Sequence, residues 1–99
     1  MISSTKNDQV KMVVELRKKA KARNEAGLFV AEGLRMVSEL PPDRAWRLYV
    51  SESFLKNRAN AGLLERFSRY EIVTDQVFSA MSDSLTPQGV LALAKQYEY

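Results

Sequence analysis

The chain has 99 residues, 45% apolar and 27% charged, with no cysteine and no histidine. That is one domain's length with enough apolar mass for its own core, and it excludes disulfides, thiolate nucleophiles, histidine bases and cysteine–histidine metal sites. The net charge of +3 is uneven: residues 1–25 carry seven basic and three acidic groups, the remainder eight and nine, a bias that points to a polyanionic partner.

A first helix is predicted over 7–23. Asn7, with Thr5 as rival, suits its N-cap, and Asp8 suits the positive end of the helix dipole. Val10, Val13, Leu16 and Ala20 fall on one side with Val14 at the edge, forming a core stripe. Lys11, Lys18 and Lys21 share the neighbouring flank, with Glu15 between the first two, and Gly27 suits the left-handed residue that ends a helix. Residues 28–31, apolar without alternation, read as a strand covered on both faces. Residues 34–40 read as a short helix with Leu34, Val37, Leu40 and Met36 inward, stopped by Pro41-Pro42.

A second strand is expected over 47–50, with Trp46 at its entrance, then a short helix through Phe54 and Leu55 capped by Ser51 or Ser53. Residues 60–68 form a helix with Leu63, Leu64 and Phe67 as its apolar side. A third strand over 70–74 leads to a helix capped by Asp75 and carrying Val77, Phe78 and Met81. After a loop over 82–86, residues 89–94 form a last strand whose unbroken apolar run places it centrally. Alternating strands and helices give an α/β fold: a three-layer α/β/α sandwich with a mixed, mostly parallel sheet of about four strands. No apolar run approaches the roughly 18 residues of a membrane span. The polar N-terminus has no signal-peptide pattern, so a cytoplasmic setting is expected.

Five pieces carry a further signal: Ser4-Thr5-Lys6-Asn7, Gly27-Leu28-Phe29-Val30-Ala31-Glu32-Gly33, Val50-Ser51-Glu52-Ser53-Phe54, Ser82-Asp83, and Thr86-Pro87-Gln88-Gly89-Val90. In this order and spacing the chain, from about residue 2 to residue 95, resembles the N-terminal substrate-binding domain of the SpoU/TrmH family of RNA 2′-O-ribose methyltransferases. The resemblance implies an RNA partner, ribosomal RNA ahead of transfer RNA. It implies a domain over 1–95 and, over 96–99, the start of a linker to an absent knotted catalytic domain. S-adenosylmethionine is implied for the full-length parent and no cofactor for this chain. A homodimer, where one forms, would use the absent domain. The family's asparagine, arginine and glycine cofactor motifs do not occur here. No nucleophile–base pair or metal-ligand cluster is visible either, so the chain alone is expected to be catalytically silent, with no catalytic and no metal-binding residues.

The resemblance and the charge together nominate RNA contacts. Lys11 and Lys18, about 10 Å apart along a helix, can neutralise neighbouring phosphates. Arg17, Lys19, Lys21 and Arg23 add charge, arginine by bidentate grip, although plain solvation of a lysine-rich helix explains the same residues. Thr5, Lys6 and Asn7 offer hydroxyl, ammonium and amide groups, and serve equally for capping. Arg35 follows Gly33, where a helix N-terminus could receive a phosphate; a pairing of Glu32 with Arg35 is the structural alternative. Gln88 can read a base edge and Gly89 permits close approach. Among the aromatics, mostly core, Trp46 and Tyr49 are candidates for base stacking. Asp75 and Asp83 read as caps. Two other classes fit the same chain: a free-standing RNA-binding protein, like the ribosomal and kink-turn proteins of this general architecture, and a protein-interaction module whose basic helix docks on an acidic partner.

Overall fold

Asn7 caps α1 (Asp8–Lys18) through its side-chain oxygen, which accepts from the Gln9 N–H at 2.8 Å. In the computed structural model, which describes residues 1–96, this helix stops short of the expected residue 23. Lys19 is extended (φ −121°, ψ 115°) and opens a second helix, α2 (Ala20–Ala26), which Gly27 ends at φ 68°. The break has a chemical reason. Arg23 folds back, and its Nη1 donates to the carbonyls of Leu16 (2.8 Å) and Arg17 (3.1 Å), satisfying acceptors that a helix end leaves orphaned. Ala20 is therefore exposed, and the buried stripe of α1 is Val10, Val13 and Leu16 alone.

The chain continues through β1 (Leu28–Glu32), α3 (Leu34–Glu39), a 3₁₀ turn (Pro42–Arg44), β2 (Ala45–Ser51) and α4 (Glu52–Lys56). A second 3₁₀ turn (Arg58–Asn60), α5 (Ala61–Leu64), β3 (Glu71–Val73), α6 (Asp75–Met81) and β4 (Val90–Lys95) complete it. The strand order is β1-β4-β2-β3. β4 pairs antiparallel with β1 and with β2, and β2 pairs parallel with β3. The sheet is thus mixed. Three strands share one direction, but the opposed strand is central, so its two ladders are antiparallel and only the β2–β3 ladder is parallel.

The unbroken apolar runs behave as sheets covered on both faces require. Along β4, Leu91 and Leu93 enter one core cluster while Val90, Ala92 and Ala94 enter another. Tyr49 of β2 joins the first, flanked by Leu48 and Val50 in the second. The first cluster is closed by α1 and α6 (Val10, Val13, Leu16, Val77, Phe78, Met81), and the second by Val37, Phe54, Leu63 and Phe67. Helices therefore cover both faces. Ile2 adds a parallel bridge to Val73 outside β3: its N–H donates to the Ile72 carbonyl at 2.8 Å and its carbonyl accepts from the Thr74 N–H at 3.0 Å.

Several boundaries and caps differ from expectation. Leu34 (40% exposed) and Met36 (50%) face outward, because a six-residue helix touching the sheet on one side buries only Val37, with Leu40 just beyond it. The helix expected over 60–68 shortens to α5; beyond it, Arg66 and Phe67 donate to the carbonyls of Leu63 and Leu64, i→i+3 bonds that tighten the turn. Ser51, not Ser53, caps α4 by accepting from the Phe54 N–H at 3.1 Å. Thr74 rather than Asp75 caps α6. The expected linker residues 97–99 lie outside the described residues. No helix is long and apolar enough to cross a membrane among those described.

Candidate nucleic-acid interface

Because β1, β2 and β3 run the same way, their carboxyl ends (Glu32, Ser51 and Val73) gather at one edge, where β4 begins at Val90. In open α/β sheets this is the edge where ligands bind. The loop before β4 is tied to it residue by residue. Ser82 Oγ donates to Glu32 Oε2, and the Asp83 N–H donates to Glu32 Oε1 at 3.1 Å. Ser82 Oγ accepts from the Ser84 N–H (3.0 Å), and Ser84 Oγ from the Thr86 N–H (3.1 Å). These short-range hydroxyl bonds give the loop a turn-like backbone without regular structure.

Gln88 then reaches across to β1. Its Oε1 accepts from the Leu34 N–H at 2.7 Å, capping α3. Gly33 makes this possible: it sits at φ 96°, and a Cβ there would approach Gln88 Oε1 to 3.0 Å. The proposed phosphate site at this helix start is thus corrected, since the side-chain oxygen of Gln88 already takes the leading N–H. Gln88 itself stays exposed, with its amide nitrogen unbonded among the described residues. Gly89, at φ 93°, is buried; Ser51 and Phe54 fill the space that a Cβ would need, and its carbonyl accepts from the Ser51 N–H at 2.8 Å. Burial removes it from ligand contact and makes it the pivot of the loop.

Around this edge lie two adjoining clefts. One, of ≈ 470 Å³, is lined by Glu32, Gly33, Asp83, Ser84, Thr86 and Gln88. The other, of ≈ 330 Å³, shares Glu32 and Asp83 and adds Arg17 and Arg23 from the α1–α2 junction. Asp83 is no helix cap: its carboxylate pairs with Arg17 at 3.0 Å, and the Arg17 side chain is only 19% exposed. Glu32 does not pair with Arg35, which extends along α3 to Glu39 at 3.4 Å.

The structure thus brings Arg17, Arg23 and Gln88 to one continuous surface, with Lys18 exposed beside Arg17. Thr5, Lys6 and Asn7 sit at the other end of α1, about 16 Å away along an eleven-residue helix. Asn7 is committed to capping, while Thr5 and Lys6 are exposed. Lys19 pairs with Glu15 at 3.1 Å and Lys21 with Glu25 at 3.9 Å. Lys6, Lys11 and Lys18 are exposed and form no ion pair among the described residues. Tyr49 is fully buried, its hydroxyl donating to Gln9 Oε1 at 2.9 Å, and burial raises its pKa. It cannot stack on a base. Trp46 is 43% exposed and can. Among the described residues no group of His, Cys, Asp and Glu side chains could hold a metal ion.

Residues 7–92 match the family described as MRM3-like substrate binding domain. The chain belongs to that family. Its fold is similar to that of an RNA 2′-O ribose methyltransferase (TM-score 0.79, 24% identity, covering 98% of this chain and 38% of that one). It is also similar to an AdoMet-bound rRNA methyltransferase from Sinorhizobium meliloti (0.68, 25%, 99% and 37%) and to the SpoU methyltransferase AviRb from Streptomyces viridochromogenes (0.69, 18%, 92% and 34%). No curated protein sequence matches the chain. This MRM3-like substrate-binding domain therefore spans little more than a third of the enzymes it resembles. The resemblance read from the five motifs holds, and four of them meet at one edge: Glu32-Gly33, Ser51-Glu52-Ser53, Ser82-Asp83 and Gln88-Gly89. Sequence reasoning missed the tether of Ile2 and the hydroxyl ladder of Ser82 and Ser84. The alternation Ser82-Asp83-Ser84 was the available signal for the ladder.

Proposed function

We propose that this domain holds RNA for a 2′-O-ribose methyltransferase, with the substrate lying along the carboxyl edge of the sheet and over the exposed flank of α1. The observation that carries this is the family match over residues 7–92, on a fold similar to RNA methyltransferases. Within the edge, Lys18 would meet phosphates, the free amide of Gln88 would donate to a base edge or ribose hydroxyl, and Lys11 would extend the cationic track along α1. Arg17, Lys19, Lys21 and Arg35, each held to a carboxylate, and Lys6 would contribute at longer range. Ribosomal RNA is the favoured substrate, because a similar structure is an rRNA methyltransferase.

The methyl donor belongs to a following catalytic domain in this reading. The larger carboxyl-edge cleft is lined by two carboxylates and polar groups, and no chemical step is assigned to this chain. Residues 1–95 act as the RNA-holding unit, residues 96–99 lead towards the catalytic domain, and the setting is cytoplasmic. Binding of a ribosomal RNA stem-loop, followed by gel shift across a salt series, tests this. Affinity should fall steeply with salt, and Lys11→Ala with Lys18→Ala should lower the slope by about two in log–log units. Affinity that ignores both salt and these lysines contradicts it.

A further inference from the structure

The geometry points to a second RNA contact at the opposite, amino-terminal edge of the sheet: a cleft that takes an unpaired nucleotide, its base on Trp46 and its phosphates on Arg47 and Arg69. This rests on the RNA reading for the class of ligand, but on a separate surface. The cleft measures ≈ 510 Å³, and its lining includes Trp46, Arg47, Arg66, Arg69 and Tyr70. Such a volume lies in the range of small-ligand pockets.

Its aromatic wall is turned outward by the backbone. The β2–β4 register shifts between Ala45 and Arg47, leaving Trp46 as the extra residue of a bulge. Bulges re-aim side chains and are frequent beside functional sites. Trp46 is 43% and Tyr70 39% exposed, in a fold that buries Tyr49, Phe54, Phe67 and Phe78. The Arg47 guanidinium lies 4.5 Å from the Trp46 ring centroid. That guanidinium covers one indole face, so a base stacks on the other while its phosphate meets the cation, the combination of stacking and charge that binds single-stranded nucleic acid.

Charge favours a polyanion. Arg66 is held in place by donating to the carbonyls of Ser38 (2.6 Å) and Leu40 (3.3 Å), so its charge is fixed with little further ordering. Lys95 Nζ lies 3.5 Å from the Asp43 carbonyl at the rim. Against these cations stand the carboxylates of Asp43 and Glu71 in the lining. The six residues of β4 separate the two edges by about 20 Å, so one RNA strand several nucleotides long reaches both.

Trp46 is the sole tryptophan, so emission excited selectively over the four tyrosines reports on this cleft alone. Titration with a short single-stranded oligouridylate should quench that emission saturably, and added salt should reverse it. By anisotropy of a labelled oligouridylate, Trp46→Ala should bind roughly tenfold or more weakly. Arg47→Ala and Arg69→Ala, both checked by circular dichroism, should lose the quenching. If RNA binds while emission stays constant, and Trp46→Ala and Arg47→Ala keep wild-type affinity, the second contact is overturned and the carboxyl-edge reading survives. Quenching by polyglutamate but not by RNA makes the cleft a protein-docking surface and also overturns it. Failure of every RNA to bind removes both contacts.

Discussion

Replacing Gly89 by alanine strikes the residue that joins the loop to the sheet. At φ 93° an alanine is strained, by about 1–3 kcal/mol. Its Cβ would overlap Ser51 Oγ and sit 2.9 Å from Phe54 Cβ, and crowding of a packed site adds about 1–3 kcal/mol. Ser51 cannot yield freely, because its hydroxyl caps α4 by accepting from the Phe54 N–H, a role worth about 1 kcal/mol. The total is about 3–7 kcal/mol, a large part of the roughly 5–15 kcal/mol expected of such a domain. At about 4–8 °C per kcal/mol, the melting temperature should drop by at least about 12 °C. Gly62→Ala is the control: Gly62 lies within α5 with nothing within 4 Å of a new Cβ, so it should be neutral or stabilise by about 0.5–1 kcal/mol. Urea denaturation of the two variants beside wild type measures both. If Gly89→Ala lies within about 1 kcal/mol of Gly62→Ala, the loop is not seated as described.

Arg23→Ala should destabilise by about 1–2 kcal/mol, because it strips two carbonyls at the end of α1 of a charged donor; urea denaturation gives the value, and amide exchange should quicken across α2. The Asp75 carboxyl is held below its ordinary value of 3.8, first by the Ser53 hydroxyl and then by the Ser53 N–H. A lowered carboxylate pKa contributes stability above the ordinary value that is lost as pH falls through the native one. A carboxyl carbon titration by NMR should place Asp75 below 3.8 in wild type, and Ser53→Ala should move it upward. An unmoved midpoint in that variant shows that Ser53 does not set it.

What could be read from the chain was periodic and local. The apolar runs of β1 and β4 announced strands covered on both faces, and they alternate between the two core clusters. Asn7, Gly27 and the two prolines marked helix ends through their own backbone chemistry. What could not be read depends on partners distant in sequence. The break at Lys19 follows from Arg23 reaching back to α1, which a helical wheel cannot show. Gln88 caps a helix 54 residues away, and Arg17 pairs with Asp83 across 66. The outward turn of Trp46 comes from a bulge set by pairing with β4, not from its own neighbours. At the candidate site, the residue types were legible while their commitments were not: Gly89 is a pivot, Arg23 a cap, and Gln88 half cap and half exposed amide.

The most direct measurement is an NMR titration of the isotope-labelled domain with a ribosomal RNA stem-loop. Resonances of the Gln88 side-chain amide, Ser84, Thr86 and Lys18 should shift together and saturate at one stoichiometry. Shifts confined to α4 and α5 at saturating RNA, with the Ser82–Gln88 loop silent, would place the nucleic acid on another face and contradict the carboxyl-edge account.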